Sequence, residues 1–316
     1  VSKIEGEWKP IQPAEFIDQT IQLAKGFLAL GVKPGDKVGL VCESCYQWHV
    51  VDFAIQQIGA VVVAIYPNIS DSEYEFILTD AEINLCIVSS KNLYKRINSL
   101  KQRVTNLQDV FSIQQVEGAR NWSEIVELGK TVNEQQVFAL RDAVKETDLA
   151  TLIYTSGTSG QPKGVMLSHK NIVSNVLSAN DLILLRQGSR GLTFLPPCHA
   201  YERTVIYCYL SFGIAVYFAE GLEKIGDNIN EVKPHIMTAV PRIMEKVYEK
   251  IIKTGSNLKG TKRKIFDWSV EVAAQYEPDA SKRSFIYNIK LGIARKLVLN
   301  KFYSALGGNF QNIISG

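Results

Sequence analysis

The sequence predicts an α/β protein with mostly parallel sheets. Helix-like and strand-like segments alternate along the chain, which implies parallel pairing through right-handed crossovers with helices on both faces. The strand-like segments, such as "VVVAIYP" and "INLCIVSS", are continuous apolar runs rather than alternating ones, as a sheet covered on both faces requires. There is no internal repeat and no low-complexity tract.

Taken in order, "PAEFIDQTIQLAKGFLALGV" carries apolar residues at helical spacing and ends near Gly31. "GDKVGLVCES" follows a Pro-Gly turn and reads as a strand. "WHVVDFAIQQIGA" reads as a helix, "VVVAIYP" as a buried strand, "SDSEYEFILTDAE" as a helix capped by Ser70 or Asp71, and "INLCIVSS" as another strand. Residues 118–148 are more polar and contain a helix near "NWSEIVELG". "DLATLIYTSG" restarts the pattern, which places a boundary near Asp148: a first α/β subdomain over 1–148 and a second over 149–316. In the second, the helix "SHKNIVSNVLSAN", the strand "GLTFLPP", the apolar segment 207–219, the helix "GLEKIGDNINEV" and the strand "HIMTAVP" follow one another. From Arg242 to Ala305 the pattern is helical and basic. Lys253 to Lys301 holds 11 Lys or Arg against 4 Asp or Glu, a local +7 that leaves −4 for the rest.

The 316 residues carry a net charge of +3 and are 46% hydrophobic, an ordinary globular balance that gives no argument for a nucleic-acid partner. Five cysteines, an odd count, argue against a disulfide framework and for a reducing cytosol. "CESC" at 42–45 has CxxC spacing, but there is no second pair for a zinc site, and the structural reading, a strand end running into a helix, is preferred to a redox one. "VSKIEGEWKPIQ" lacks the apolar core of a signal peptide. The longest apolar run, Tyr207 to Ala219, is too short to span a bilayer.

The segment "YTSGTSGQPKG" concentrates Gly, Ser and Thr before one lysine. Successive backbone N–H groups in such a turn converge on an anion, hydroxyls add donors, Lys163 adds a full charge, and a following helix would add its dipole. It is not a Walker loop: Pro162 stands where the second Gly belongs, and Gly164 rather than Ser or Thr follows Lys163. Nor is it G-x-G-x-x-G. A plain surface loop is the alternative; the preceding strand and the Pro-Lys-Gly ending favour phosphate.

These residues carry a resemblance. "YTSGTSGQPKGVMLSH" resembles the phosphate-binding signature of the adenylate-forming enzymes, which include acyl-CoA synthetases, luciferases and the adenylation domains of peptide synthetases. "LGVKPGDKVGLVCES", "DFAIQQIGAVVVAIYP", "LPPCHAYER" and "HIMTAVPRIMEKVYEKI" resemble further segments of that family. "KRKIFDWSVEVA" and "KLVLNKFYSALGGNFQNIISG" resemble the long-chain fatty acyl-CoA synthetase branch, with a basic helical insertion at about 245–305.

The resemblance implies the N-terminal domain of the adenylate-forming fold, with stacked αβαβα subdomains. It also implies a two-step reaction: a fatty acid carboxylate attacks the α-phosphate of ATP, and coenzyme A then displaces AMP to give a thioester. Thr155, Ser156, Gly157, Thr158, Ser159, Gly160, Gln161, Pro162 and Lys163 would hold the ATP phosphates, with Lys163 neutralising the departing pyrophosphate. The Mg2+ ligands stay unassigned, the Thr155 hydroxyl being one candidate. By the same resemblance His199 lies between adenylate and acyl pocket, with Tyr201 and Arg242 also toward substrate. A histidine satisfied by a backbone carbonyl and a surface arginine on the next helix are the plainer readings of His199 and Arg242. His169 reads as helix N-terminal structure. Glu202 and Arg203 form either an ion pair at the pocket mouth or a solvated turn. Cys198 stands where related long-chain enzymes often carry a bulkier residue, which bears on the acyl entrance.

The family pattern continues past "IISG" with a Tyr-Gly-x-Thr-Glu motif, a ribose-binding Asp and a small C-terminal domain, and a segment before "GEWKPIQPAEF" is also expected. The chain is therefore expected to be the N-terminal part of such an enzyme, with the C-terminal domain absent and no activity alone. An acyl-carrier-protein synthetase, an aryl- or amino-acid-activating relative and a non-catalytic nucleotide- or lipid-binding module remain as alternatives. The basic 253–301 segment would face anionic lipid or an acidic carrier, or be a solvated helix face. A cytoplasmic protein, in peripheral contact with membrane through that segment, is the resulting expectation; oligomeric state is left open.

Overall fold

The computed structural model describes residues 1–155, 161–179, 185 and 187–315. It divides into two compact units, Val1–Leu184 with Leu195–Phe212, and Leu185–Phe194 with Gly213–Gly316.

The first unit opens with a hairpin of β1 (Ser2–Ile4) and β2 (Glu7–Lys9). Its two-residue loop has Glu5 at φ 53° and Gly6 at φ 82°, the type I′ geometry that matches strand twist. Then follow α1 (Pro13–Ala29), β3 (Lys37–Val41), α2 (Tyr46–Gln56), β4 (Val61–Ile65), α3 (Asp71–Asp80), β5 (Leu85–Val88), α4 (Lys91–Ser99) and β6 (Asp109–Ser112). After them come α5 (Trp122–Gly129), α6 (Glu134–Ala143), β7 (Leu149–Thr155), β8 (Lys163–Ser168), α7 (His169–Ser178) and α8 (Ala200–Ser211). Local chemistry sets several ends. Pro13 starts α1, and Gly31, at φ 85°, follows its last turn. Ser70 caps α3 in a reciprocal capping box with Glu73, and Asn121 does the same for α5 with Glu124.

The sheet runs β6-β5-β3-β4-β7-β8, the first five strands parallel and β8 antiparallel to β7. Side-chain alternation splits β4 between two cores. Val62 and Ala64 join Leu23, Phe27, Trp48 and Ile125 on the face of α1, α2 and α5. Val61, Val63 and Ile65 join Tyr74, Leu78 and Ile97 on the face of α3 and α4. Both faces are thus sealed, which is why these strands read as unbroken apolar runs.

The boundary expected near Asp148 falls elsewhere. β7 pairs with β4, through Val62↔Thr151, Val63↔Leu152 and Ala64↔Ile153. The restart of the pattern at "DLATLIYTSG" is the next strand of the same sheet.

In the second unit, β9 (Arg190–Thr193), β10 (Ala215–Phe218), β11 (Ile236–Ala239) and β12 (Asn312–Ser315) form a parallel array in the order β12-β11-β9-β10. The expected helix after "GL" is α9 (Ile225–Val232). The run 207–219 breaks at Gly213, φ 70°, between the end of α8 and β10. The basic stretch folds as α10 (Pro241–Ser256), α11 (Thr261–Ala274), α12 (Phe285–Ala294) and α13 (Asn300–Ala305). Among the described residues no helix is long and apolar enough to cross a membrane.

Helices α1 and α5 touch backbone to backbone. A Cβ at Gly26 would lie 2.1 Å from the Ile125 carbonyl oxygen, and one at Gly129 would lie 2.6 Å from the Gly26 nitrogen. Helix propensity alone favours Ala over Gly by about 1 kcal/mol. Here overpacking dominates, so Gly26→Ala is expected to destabilise by about 1–3 kcal/mol. Urea unfolding followed by far-UV circular dichroism checks this; an unchanged or raised midpoint would refute the close seam.

Candidate active site

The parallel strands β3, β4 and β7 end on one edge of the first sheet, where open α/β sheets place their ligands. Thr155 is the last residue of β7 and Lys163 the first of β8, and the two are direct antiparallel partners. The Gly-Ser-Thr segment therefore links two antiparallel strands. Ser156, Gly157, Thr158, Ser159 and Gly160 lie outside the described residues. Thr155, Gln161 and Lys163 are exposed, Pro162 is half-buried, and among the described residues Lys163 has no ion-pair partner. An exposed lysine beside a hydroxyl at a hairpin mouth fits an oxyanion ligand.

One expectation is corrected. The helix expected to aim its dipole at this loop does not follow it; the whole of β8 intervenes, and α7 starts only at His169. "KGVML" satisfies its backbone by pairing with β7, and its apolar residues serve an edge strand with Val165 and Met166 exposed. Gly164 makes room for Tyr154, whose ring would stand 3.1 Å from a Cβ there. His169 is the first residue of α7, beside the Ser168 cap, as expected. Burial pulls its imidazole below the ordinary value, Asp148 opposing.

His199 caps the start of α8 through its backbone and is exposed. Its ring lies 5.3 Å from that of Tyr66, which directly follows β4. His199 thus stands at the same carboxyl edge as the hairpin. Tyr201, the second residue of α8, is half-buried, its phenol pushed up to about 12 by burial and by Glu202. Cys198 is buried in the first core and its thiol is pushed up to about 12, chiefly by burial. Arg242 belongs to the second unit, exposed in the first turn of α10 just after β11 and Pro241.

Neither alternative for Glu202 and Arg203 describes the structure. Both are fully buried, and adjacent helical residues diverge, so they do not pair. Arg203 instead reaches Asp52 on α2 in a buried ion pair, with Nε 3.3 Å from Oδ2. Its Nη1 donates to the Thr151 hydroxyl on β7 at 2.7 Å, and that hydroxyl donates to the Val62 carbonyl at 2.6 Å. Tyr207, one turn on, donates to Asp52, and the Gln56 amide donates to the same carboxylate at 2.9 Å. The Trp48 ring lies 5.3 Å from the guanidinium carbon. This network anchors the helix that His199 begins. The sequence held one signal of it, an aspartate inside the apolar helix "WHVVDFAI".

The chain matches the family described as AMP-binding enzyme over residues 4–287. It is 31% identical to the long-chain-fatty-acid–CoA ligase FadD15 of Mycobacterium bovis, over 99% of this chain and 52% of that protein. It is 28% identical to the long-chain-fatty-acid–CoA ligase ACSBG2 of Xenopus laevis, over 97% of this chain and 43% of that protein. The chain thus spans about half the length of the curated relatives it matches. Among solved structures, the long-chain-fatty-acid-CoA ligase FadD1 of Archaeoglobus fulgidus superposes with a TM-score of 0.66 at 24% identity, covering 80% of this chain and 50% of that one. The N-terminal domain of FACL13 from Mycobacterium tuberculosis gives a TM-score of 0.62 at 24% identity, covering 73% and 56%. At that identity the two likenesses speak for the fold alone.

Asp52→Ala strands the Arg203 charge in the core, and is expected to destabilise the first unit by about 3–5 kcal/mol. Urea unfolding read through tryptophan fluorescence checks it, and Asp52→Ala/Arg203→Met should lose less than the sum of its two single changes. Burial, reinforced by Arg203, drives His49 from 6.5 down to about 3. The unfolded chain then takes up a proton below pH 6.5 that the folded one refuses. Stability from this group is full above 6.5 and declines toward pH 3 by up to about 1.4 kcal/mol per pH unit. His49→Phe should flatten the fall of the urea midpoint between pH 6.5 and 4.5; an unaltered slope would refute it.

Proposed function

The chain belongs to the AMP-binding enzyme family, and from that premise we propose that the protein carrying it activates a long-chain fatty acid as an acyl-adenylate and transfers it to coenzyme A. The observation that carries the reading is the β7–β8 hairpin, with Thr155 opposite the exposed Lys163 on the ligand edge of a parallel sheet. The long-chain preference is supported by the names of the relatives and by the segments that resemble that branch.

In this reading ATP lies with its β- and γ-phosphates at the hairpin. One carboxylate oxygen of the fatty acid attacks the α-phosphorus, and the bond to the bridging oxygen breaks to release pyrophosphate. Nucleotidyl transfer of this kind depends on positioning and charge stabilisation. Lys163 supplies a positive charge to the leaving pyrophosphate, and Thr155 with the segment to Pro162 supplies donors. The coenzyme A thiol then attacks the acyl carbon and AMP departs. His199, its ring tilted against that of Tyr66, is assigned to the space between nucleotide and acyl chain and Tyr201 to the substrate; Arg242, in the second unit, is assigned to substrate by the resemblance alone. Mg2+ would compensate polyphosphate charge. Among the described residues no three His, Cys, Asp or Glu side chains gather to hold a metal, so no step is assigned to it here. Coenzyme A rather than a carrier protein is favoured by the relatives' names.

The basic helices are assigned to an anionic lipid surface, where the acyl substrate partitions. On α12, Phe285 is 79% and Ile286 66% exposed, with Lys290 on the next turn. Sedimentation with anionic vesicles, but not with neutral ones, is the expected result.

The test of the main reading is ATP–pyrophosphate exchange driven by palmitate, followed by thioester formation with coenzyme A, using the full product of the gene. Lys163→Ala should fold normally, because its side chain is exposed, and lower exchange on the order of 10²-fold or more. Exchange at the wild-type rate would remove Lys163 from this role, and a preference for acetate or an aromatic acid over palmitate would remove the long-chain assignment.

A further inference from the structure

The sequence holds a CxxC pair that the adenylation reading does not use. β3 ends at Val41, the next residue is Cys42, and Cys45 is the residue immediately before α2. Their sulfurs lie 3.5 Å apart. Cys42 is buried in the first core, whereas Cys45 is only partly buried. Among the described residues no other two sulfurs are in contact, and Cys86, Cys198 and Cys208 are solitary buried thiols. The turn between the pair is held in place: the Glu43 N–H donates to the Ser89 hydroxyl, which follows β5, at 3.3 Å.

We propose that Cys42 and Cys45 form a reversible dithiol–disulfide pair, with Cys45 as the attacking thiol and Cys42 as the resolving one, exchanging with a low-molecular-weight disulfide of the glutathione class. A disulfide bond is about 2.05 Å long, so the sulfurs need to close by about 1.5 Å, within reach of side-chain rotation at two residues three positions apart. The two roles follow from position. Cys45 sits at the N-terminus of an eleven-residue helix, where the unpaired backbone N–H groups of the first turn, those of Gln47 and Trp48 included, favour a thiolate without a capping hydrogen bond to its sulfur. The hydrogen bond with Cys42 and those N–H groups pull the Cys45 thiol down against its burial, while burial pushes Cys42 well up. Of the two residues Cys45 is the less buried, so it is the one a soluble reagent meets first when the turn opens. The inference stands apart from the adenylation reading and uses none of its residues.

The exchange balances in two steps. The Cys45 thiolate attacks one sulfur of glutathione disulfide, its S–S bond breaks, and one glutathione thiolate leaves, taking a proton from water. Cys42 then gives up its proton and attacks the Cys45 sulfur; the mixed disulfide breaks and the second glutathione thiolate leaves and is protonated. Two protein thiols are oxidised to one disulfide, and one glutathione disulfide is reduced to two glutathiones. A cytosolic pair of this kind is a sensor rather than a permanent staple.

The experiment equilibrates the purified chain in buffers of stepped glutathione to glutathione disulfide ratio. Samples are quenched in acid, alkylated after denaturation, reduced, and alkylated with a second label for peptide mass spectrometry. Expected is a linked 42–45 peptide whose fraction follows the buffer ratio and returns to zero with dithiothreitol, with Cys86, Cys198 and Cys208 still carrying the first label. In the reduced native protein at pH 7, Cys45 should be alkylated at least about tenfold faster than Cys42. Cys42→Ser should accumulate a glutathione adduct on Cys45, and Cys45→Ser should leave Cys42 unmodified. First-label alkylation of both cysteines in the most oxidising buffer would overturn the proposal in the unaltered protein, whatever the variants do. An adduct on Cys42 in preference to Cys45 would overturn the assigned roles.

Discussion

The Arg203 guanidinium, closed off from water, makes the first unit's architecture specific. Apolar packing brings α2, α8 and β7 together, but it would tolerate several ways of doing so. The ion pair with Asp52 tolerates one, because a buried charge without its partner is far costlier than a misplaced methyl group. Thr151 extends the constraint into the sheet: its hydroxyl accepts from the guanidinium and donates to the Val62 carbonyl, so one side chain fixes the helix and the β4–β7 pairing together. With α8 held from below, His199 at its start meets the Tyr66 ring on the ligand edge.

That edge is where folding and chemistry meet. Parallel strands leave their carboxyl ends facing one way, and the connections after β3, β4 and β7 supply a thiol pair, an aromatic ring and a hairpin mouth. β8 changes how the hairpin works. A strand–loop–helix would have put a helix terminus behind the phosphates. A strand–loop–strand puts Thr155 opposite an exposed Lys163 instead, the pair on which the proposed phosphate role rests.

What was legible in the sequence was what depends on neighbours along the chain. The strands β3, β4, β5 and β7 announced themselves as apolar runs because both faces of the sheet are covered, and Ser70 announced α3 by a capping pattern contained in four residues. The hairpin β1–β2 left only Glu-Gly as a signal, too short to separate from any turn. β8 left no clear signal, because "GVMLS" is apolar without strict alternation and only the partner strand decides its period. The Arg203 network left only Asp52, a charge inside an apolar helix, as a signal: its meeting with Thr151 and Arg203 is a property of the tertiary fold. Lys163 and His199 could be proposed from the sequence because each lies in a contiguous segment that resembles the family.

The sequence distance across that ion pair has a consequence in time. Asp52 and Arg203 are 151 residues apart. At translation rates of about 5–20 residues per second, the aspartate leaves the ribosome about 8–30 s before its arginine does. Through that interval α2 carries a carboxylate whose burial has no compensation, and until β7 is made β4 has β3 on one side only. The half of the sheet made first therefore waits, with Trp48 and its apolar neighbours in need of shelter, for a helix synthesised much later. A nascent chain of this kind is a natural client of holding chaperones, and its vulnerability is greatest before residue 203 emerges.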